Sequence, residues 1–153
     1  MKRVLLLSFL VGCVLVSTAQ VKDYTGIPSL VWPKLFDISY KAGQDEYGEI
    51  QIPVFSETVK KLEGQKISLP GYMIPFQGGY KESRFILSSL PINACFFCGT
   101  GGPESVIEIV ALKPIPYTEK PIEVRGILKL NNTNPDEMIY KLEDVEYLGV
   151  VDF

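Results

Sequence analysis

Two thiols three residues apart are the most chemical feature of the chain, in the stretch Asn93-Ala94-Cys95-Phe96-Phe97-Cys98-Gly99. A Cys-x-x-Cys-Gly turn is half of a zinc knuckle: two thiolates can point at one ion while the glycine lets backbone N–H groups approach the sulfurs. A structural zinc site wants four ligands, and the chain has no histidine to supply one. Completion calls on carboxylates such as Glu104 or Glu108, on a second protein molecule, or on a different ion. Cu(I) accepts two soft thiolates, with Met73 as a thioether neighbour if the fold brings it close. The candidate metal ligands are therefore Cys95 and Cys98, with Glu104 and Met73 as auxiliaries and zinc or copper as the ion.

Two other readings of the pair stay open. A reactive dithiol sits at a helix N-terminus, where the dipole lowers a thiol pKa. Here Asn93-Ala94 precedes the pair and Gly99-Thr100-Gly101-Gly102-Pro103 follows it, which is loop composition, with no Lys, Arg or His beside it. In an oxidising compartment the pair is equally a disulfide closing a small loop beneath Phe96 and Phe97, or two inert buried thiols. Gly99 to Gly102 lacks the Lys-Ser/Thr ending of a P-loop and reads as a tight connection rather than an anion nest. Glu104 and Glu108, taken as strand residues, lie about 13 Å apart on one face, which leaves them a solvated or metal-assisting role. The missing histidine also excludes a Ser-His-Asp triad, a Cys-His dyad, an HExxH zinc site and an imidazole pH switch. No catalytic residue and no organic cofactor site are assigned, and a non-catalytic domain is expected.

The elements that must position the thiols are mostly strands. Ser56 is placed to cap a short helix over Phe55 to Gly64, with Phe55, Val59 and Leu62 on one face and Gly64 at its left-handed end. Lys66 to Pro75 alternates apolar and polar residues, and Pro70-Gly71 predicts a bend or bulge within it. Strands are expected over Arg84 to Leu90, Ser105 to Leu112, Ile122 to Leu130 and Met138 to Tyr147, with turn residues between them. Pro114, Pro116 and Pro121 make Lys113 to Pro121 a connection, and Asn131 to Asp136 a turn-rich link. Five strands, one short helix before the first of them and no βαβ alternation predict a small antiparallel OB-like barrel, or else a small β-sandwich. Trp32, beside Leu35 and Phe36 at helical spacing, reads as a packing anchor in an otherwise irregular approach segment.

Lys2 and Arg3 ahead of the apolar run Val4 to Val16 read as a secretory signal, with Ser17 and Ala19 at the small-residue cleavage positions. Leu10-Val11-Gly12-Cys13 gives the competing reading, a bacterial lipobox in which Cys13 is lipidated and anchors the chain to a membrane. The organisation expected is thus a signal peptide over 1–19, an irregular segment over 20–52 packing on the core, and the β domain over 53–150, exported to the periplasm or the outer membrane. Loss of the signal lowers the basic count from 15 to 13 against 18 acidic residues, so the net charge passes from −3 to −5. The densest basic spot is Lys60-Lys61, and aromatics such as Phe76 and Phe85 come without a basic funnel. A nucleic-acid partner is disfavoured.

Pro53-Val54-Phe55-Ser56, then Leu62-Glu63-Gly64-Gln65-Lys66-Ile67-Ser68-Leu69-Pro70-Gly71-Tyr72-Met73-Ile74-Pro75, then the cysteine motif, then Val124-Arg125-Gly126-Ile127-Leu128 occur in an order that resembles the bacterial envelope proteins of the DUF3299 type, over roughly residues 50 to 148. The resemblance implies a secreted or lipid-anchored single domain with an OB-like core, without established activity, in some cases associated with zinc-related transport systems, and so an envelope protein as partner. Those proteins carry a Cys-x-His type loop followed by prolines. Here Phe97 or Cys98 stands where the histidine would be.

Overall fold

The computed structural model describes residues 24–76, 78–99 and 101–152; the signal-peptide segment, its cleavage positions and Cys13 lie outside the described residues. Local sequence dictates the first elements. Pro33 at the first turn favours a single helical turn, α1 (Trp32–Leu35), whose Trp32 and Leu35 are both fully buried. The Trp32 indole N–H donates to the Pro70 carbonyl at 2.7 Å, so the packing anchor is also a polar tie. The Ser56 hydroxyl accepts from the Val59 N–H and starts α2 (Glu57–Lys60), buried through Val59. Regular helix ends there, but turns continue to Gly64, whose φ of +73° is the left-handed conformation expected of it.

Five strands close into a barrel: β3 (Lys66–Pro75), β4 (Lys81–Ser88), β5 (Val106–Pro116), β6 (Ile122–Leu130) and β7 (Tyr140–Val150), in the order β3-β4-β5-β7-β6. The expected small five-stranded barrel with a short helix ahead of its first strand is present. One feature corrects its antiparallel description: β5 and β7 run parallel, while the other four contacts are antiparallel. Closure requires this, because strand direction cannot alternate all the way round a ring of five, and with the other four contacts antiparallel β5 and β7 point the same way. The predicted bend lies where it was expected. Lys66 to Gly71 pair with β6 and Tyr72 to Pro75 pair with β4, so β3 turns the barrel's corner at Gly71. A Cβ on Gly71 would stand 2.6 Å from Leu87 Cγ and 2.8 Å from the Ser88 carbonyl oxygen, which explains why that corner has no side chain.

Alternation of period two fills the interior with Ile67, Leu69 and Met73 from β3, Phe85 and Leu87 from β4, Ile107 and Ile109 from β5, Val124 and Leu128 from β6, and Tyr140 and Leu142 from β7. Trp32, Leu35, Phe55 and Val59 belong to the same cluster, so α1 and α2 extend the core rather than decorate it.

Residues 38–52 are not irregular. β1 (Ile38–Asp45) and β2 (Gly48–Phe55) form an antiparallel hairpin paired from Ile38↔Phe55 to Asp45↔Gly48. Its half-buried alternation is weak, and Gly43 obscures it further, because a Cβ there would collide with Ile52. Asp45 accepts the Tyr47 and Gly48 N–H groups to fix the turn. The hairpin reaches the core through Phe55, whose ring lies 5.8 Å from that of Tyr140. β5 also runs to Pro116, past the prolines expected to end it. Its last residues pair with Lys81 and Glu82 after a bulge in the register, a place where prolines are tolerated. No helix among the described residues is long and apolar enough to cross a membrane.

Candidate metal centre

The thiol pair lies in the connection from β4 to β5, which is built of three short 3-10 turns, Ile92–Ala94, Phe96–Cys98 and Pro103–Ser105. Its base is fastened from two sides. The Ser89 N–H donates to the Ser105 carbonyl at 2.9 Å, and the Ile27 N–H donates to the Ser89 carbonyl at 2.8 Å. Within it, the Cys98 N–H donates to the Cys95 carbonyl and the Gly99 N–H to the Phe96 carbonyl, at 3.1 and 3.0 Å. Gly99 then takes φ +80°, the left-handed step for which a glycine is suited. The result is a tight knuckle that sets both sulfurs on one side of the turn, with Sγ of Cys95 and Sγ of Cys98 3.9 Å apart.

The two thiols are unlike. Both are free; Cys95 is 1% exposed, whereas Cys98 is at the surface. The Cys98 thiol donates to the Ile92 carbonyl at 2.9 Å. Its pKa is pushed above that of an ordinary thiol, first by its hydrogen bond to Cys95, then by burial and by the charge of Cys95. The Phe96 and Phe97 rings meet edge to face at 5.3 Å, with Phe97 53% and Ile92 55% exposed at the rim.

The auxiliaries expected beside the pair are engaged elsewhere. Glu104 is not a strand residue: it lies in the last 3-10 turn and is only 4% exposed, so a solvated role is excluded by its burial. Its Oε2 accepts from the Tyr40 hydroxyl at 3.1 Å, joining the connection to β1, and its carboxylate occupies the space a Cβ on Gly102 would need. Burial, reinforced by the charge and hydrogen bond of Glu104, raises the Tyr40 pKa. Glu108 is likewise buried. It accepts from Arg84 through Nε at 3.2 Å and through Nη2, and Lys141 Nζ lies 3.8 Å away. Met73 belongs to the barrel's core cluster, to which Cys95 does not. Among the described residues no group of three or more Cys, His, Asp or Glu is assembled to hold an ion. Two sulfurs are what this chain brings together.

Tyr40 is the participant that sequence reading missed. Its only signal was its place in the weak alternation of the hairpin. A separate groove of about 480 Å³, lined by Leu112, Pro114, Ile115, Val145 and Tyr147 among others, lies between β5 and β7 and involves none of the cysteine-loop residues.

The model of a family described as a protein of unknown function (DUF3299) matches residues 36–147. The chain belongs to this family. The DUF3299 match takes in the hairpin from just before Ile38, the whole cysteine connection and all but the end of β7, so hairpin, knuckle and barrel form one family unit. Comparison with curated proteins and with solved structures gives no match.

Proposed function

We propose that this DUF3299 domain is an exported, non-catalytic accessory protein that takes a soft metal ion, zinc or Cu(I), at Cys95 and Cys98. The observation that carries the reading is the 3.9 Å between the sulfurs. Two thiolates 2.3 Å from one ion at a tetrahedral angle stand about 3.8 Å apart, so the knuckle needs almost no rearrangement to accept it. Exposure of Cys98 gives the ion a way in. A thiol oxidoreductase is supported less well, because the pair lies in 3-10 turns without a helix dipole or a cation to stabilise a thiolate. The burial of Cys95 and the fastened base of the loop favour a second reading, a disulfide staple in a domain that contacts another envelope protein. Closing that bond brings the sulfurs from 3.9 Å to about 2.05 Å.

Native mass spectrometry of the mature protein, reduced and then offered zinc or Cu(I), decides between them. A metal adduct that disappears in Cys98→Ser is expected. A purified protein lighter by two hydrogens, with no adduct even after reduction, establishes the staple and overturns the metal reading. The same spectrum shows whether the chain starts after Ala19 or carries an acylated Cys13.

A further inference from the structure

We infer that the ion taken by Cys95 and Cys98 is a zinc ion shared between two copies of this chain, each copy supplying half of a four-thiolate site. The inference rests on the metal reading above and adds to it the identity of the ion and of the partner. Zinc in a structural site is held by four ligands in a tetrahedron. This chain brings two sulfurs to the knuckle, and the carboxylates nearest in sequence are spent on Tyr40 and Arg84. Among the described residues no third Cys, His, Asp or Glu is assembled with them, so the remaining two positions are assigned to a second copy.

The knuckle faces outward in a way that suits a second copy. Cys95 is buried and Cys98 exposed, so a facing copy reaches the pair from the side of Cys98. In the same loop stand the exposed side chains of Ile92 and Phe97, apolar area that a facing copy covers and that burial rewards. Charge permits the approach. Residues 85–103 contain no Asp, Glu, Lys or Arg, although 22% of the whole chain is charged. The loop therefore brings no charge of its own to the contact, and charges more than about 8 Å from it are screened at physiological ionic strength. With a two-fold axis through the ion, Cys95 and Cys98 of one copy meet Cys95 and Cys98 of the other, which is the self-complementary contact a symmetric dimer requires. The four thiols release their protons to the buffer as the ion binds.

The test is sedimentation and native mass spectrometry of the mature chain, reduced, with a chelator and then with zinc at half a molar equivalent. In chelator the chain is expected as a monomer; with zinc the mass doubles, at one ion per two chains. Cys98→Ser, at an exposed position that leaves the core intact, is expected to stay monomeric with zinc. Ile92→Asp places like charges across the contact and is expected to raise the concentration needed for dimerisation at least tenfold while the variant still takes up zinc. A monomer with one zinc per chain overturns the shared site and leaves the metal reading standing. Uptake of Cu(I) but not of zinc overturns the shared zinc site and leaves the metal reading standing, and absence of uptake of either ion overturns both. A dimer that survives the chelator, or that forms equally in Cys98→Ser, shows a contact made without the ion and overturns the inference.

Discussion

At the scale of single residues, the fold depends on a few polar atoms that are buried with a partner. Tyr140 fills the barrel and is fully buried, yet its hydroxyl donates to the Leu35 carbonyl at 2.6 Å and so ties β7 to the end of α1. Trp32 does the same in the other direction, from α1 to the corner of β3. Each tie places the one polar atom of a large buried side chain on a backbone carbonyl of another element. Tyr140→Phe tests this cleanly, because it removes an oxygen and leaves the ring. A loss of about 1–3 kcal/mol is expected in urea denaturation, since the Leu35 carbonyl keeps its burial and loses its donor. An unchanged midpoint and slope would show that the contact contributes nothing. At the cysteines the same scale explains an asymmetry that spacing does not contain. An i, i+3 pair brings two thiols within reach, but which one is buried depends on how the connection lies against the barrel.

At the scale of elements, the seam between β6 and β7 makes a specific demand on the backbone. The register slips between Arg125 and Ile127, with Gly126 on β6 facing an extra residue on β7, and Asp144 takes φ +52° to make room. A Cβ on Gly126 would lie 2.5 Å from Val145 Cγ2 and 2.7 Å from the Glu143 carbonyl oxygen. Backbone cannot step aside as a flexible side chain can. Gly126→Ala is therefore expected to cost about 1–3 kcal/mol through overpacking, read from the thermal midpoint, whereas Gly64→Ala, where open space surrounds the missing Cβ, costs only the strain of a positive φ. Equal losses at the two positions would contradict the packing account. What the sequence made legible follows the same logic. The bend at Pro70-Gly71, the cap at Ser56 and the strand over Ile122 to Leu130 were readable because one residue type fits one local geometry. The hairpin of β1 and β2 was not readable, since both its faces are partly exposed and its alternation is correspondingly faint. In the candidate site, the pairing of Cys95 with Cys98 was legible from spacing. The engagement of Glu104 was not, because its partner Tyr40 is 64 positions earlier in the chain and meets it only after the hairpin has docked.

At the scale of the whole molecule, burial of phenols sets a limit on the alkaline side. Burial raises the pKa of Tyr24, Tyr40 and Tyr140, with the charge of Glu104 adding to the effect at the latter two. A tyrosine in the unfolded chain ionises near pH 10. Above that pH the unfolded chain gives up a proton that folded Tyr140 retains, so rising pH favours unfolding. The contribution is fully present below about pH 10 and is lost as the pH climbs from there toward the folded pKa. For Tyr140, the most deeply buried of the three, the expected slope is about 1.4 kcal/mol per pH unit; Tyr24 and Tyr40, partly open to solvent, add less. Urea denaturation at a series of pH values from 8 to 11.5 checks this, with Tyr140→Phe as the control. The variant starts less stable because it lacks the hydrogen bond to Leu35, but it has no phenol to ionise at that position, so its decline is shallower and the two curves converge as the pH rises. Ionisation of lysines in the surface ion pairs affects both proteins alike and cancels in the difference. Parallel curves would mean that the Tyr140 phenol is no harder to ionise folded than unfolded, and would remove the buried tyrosine from the account of how barrel and α1 are held together.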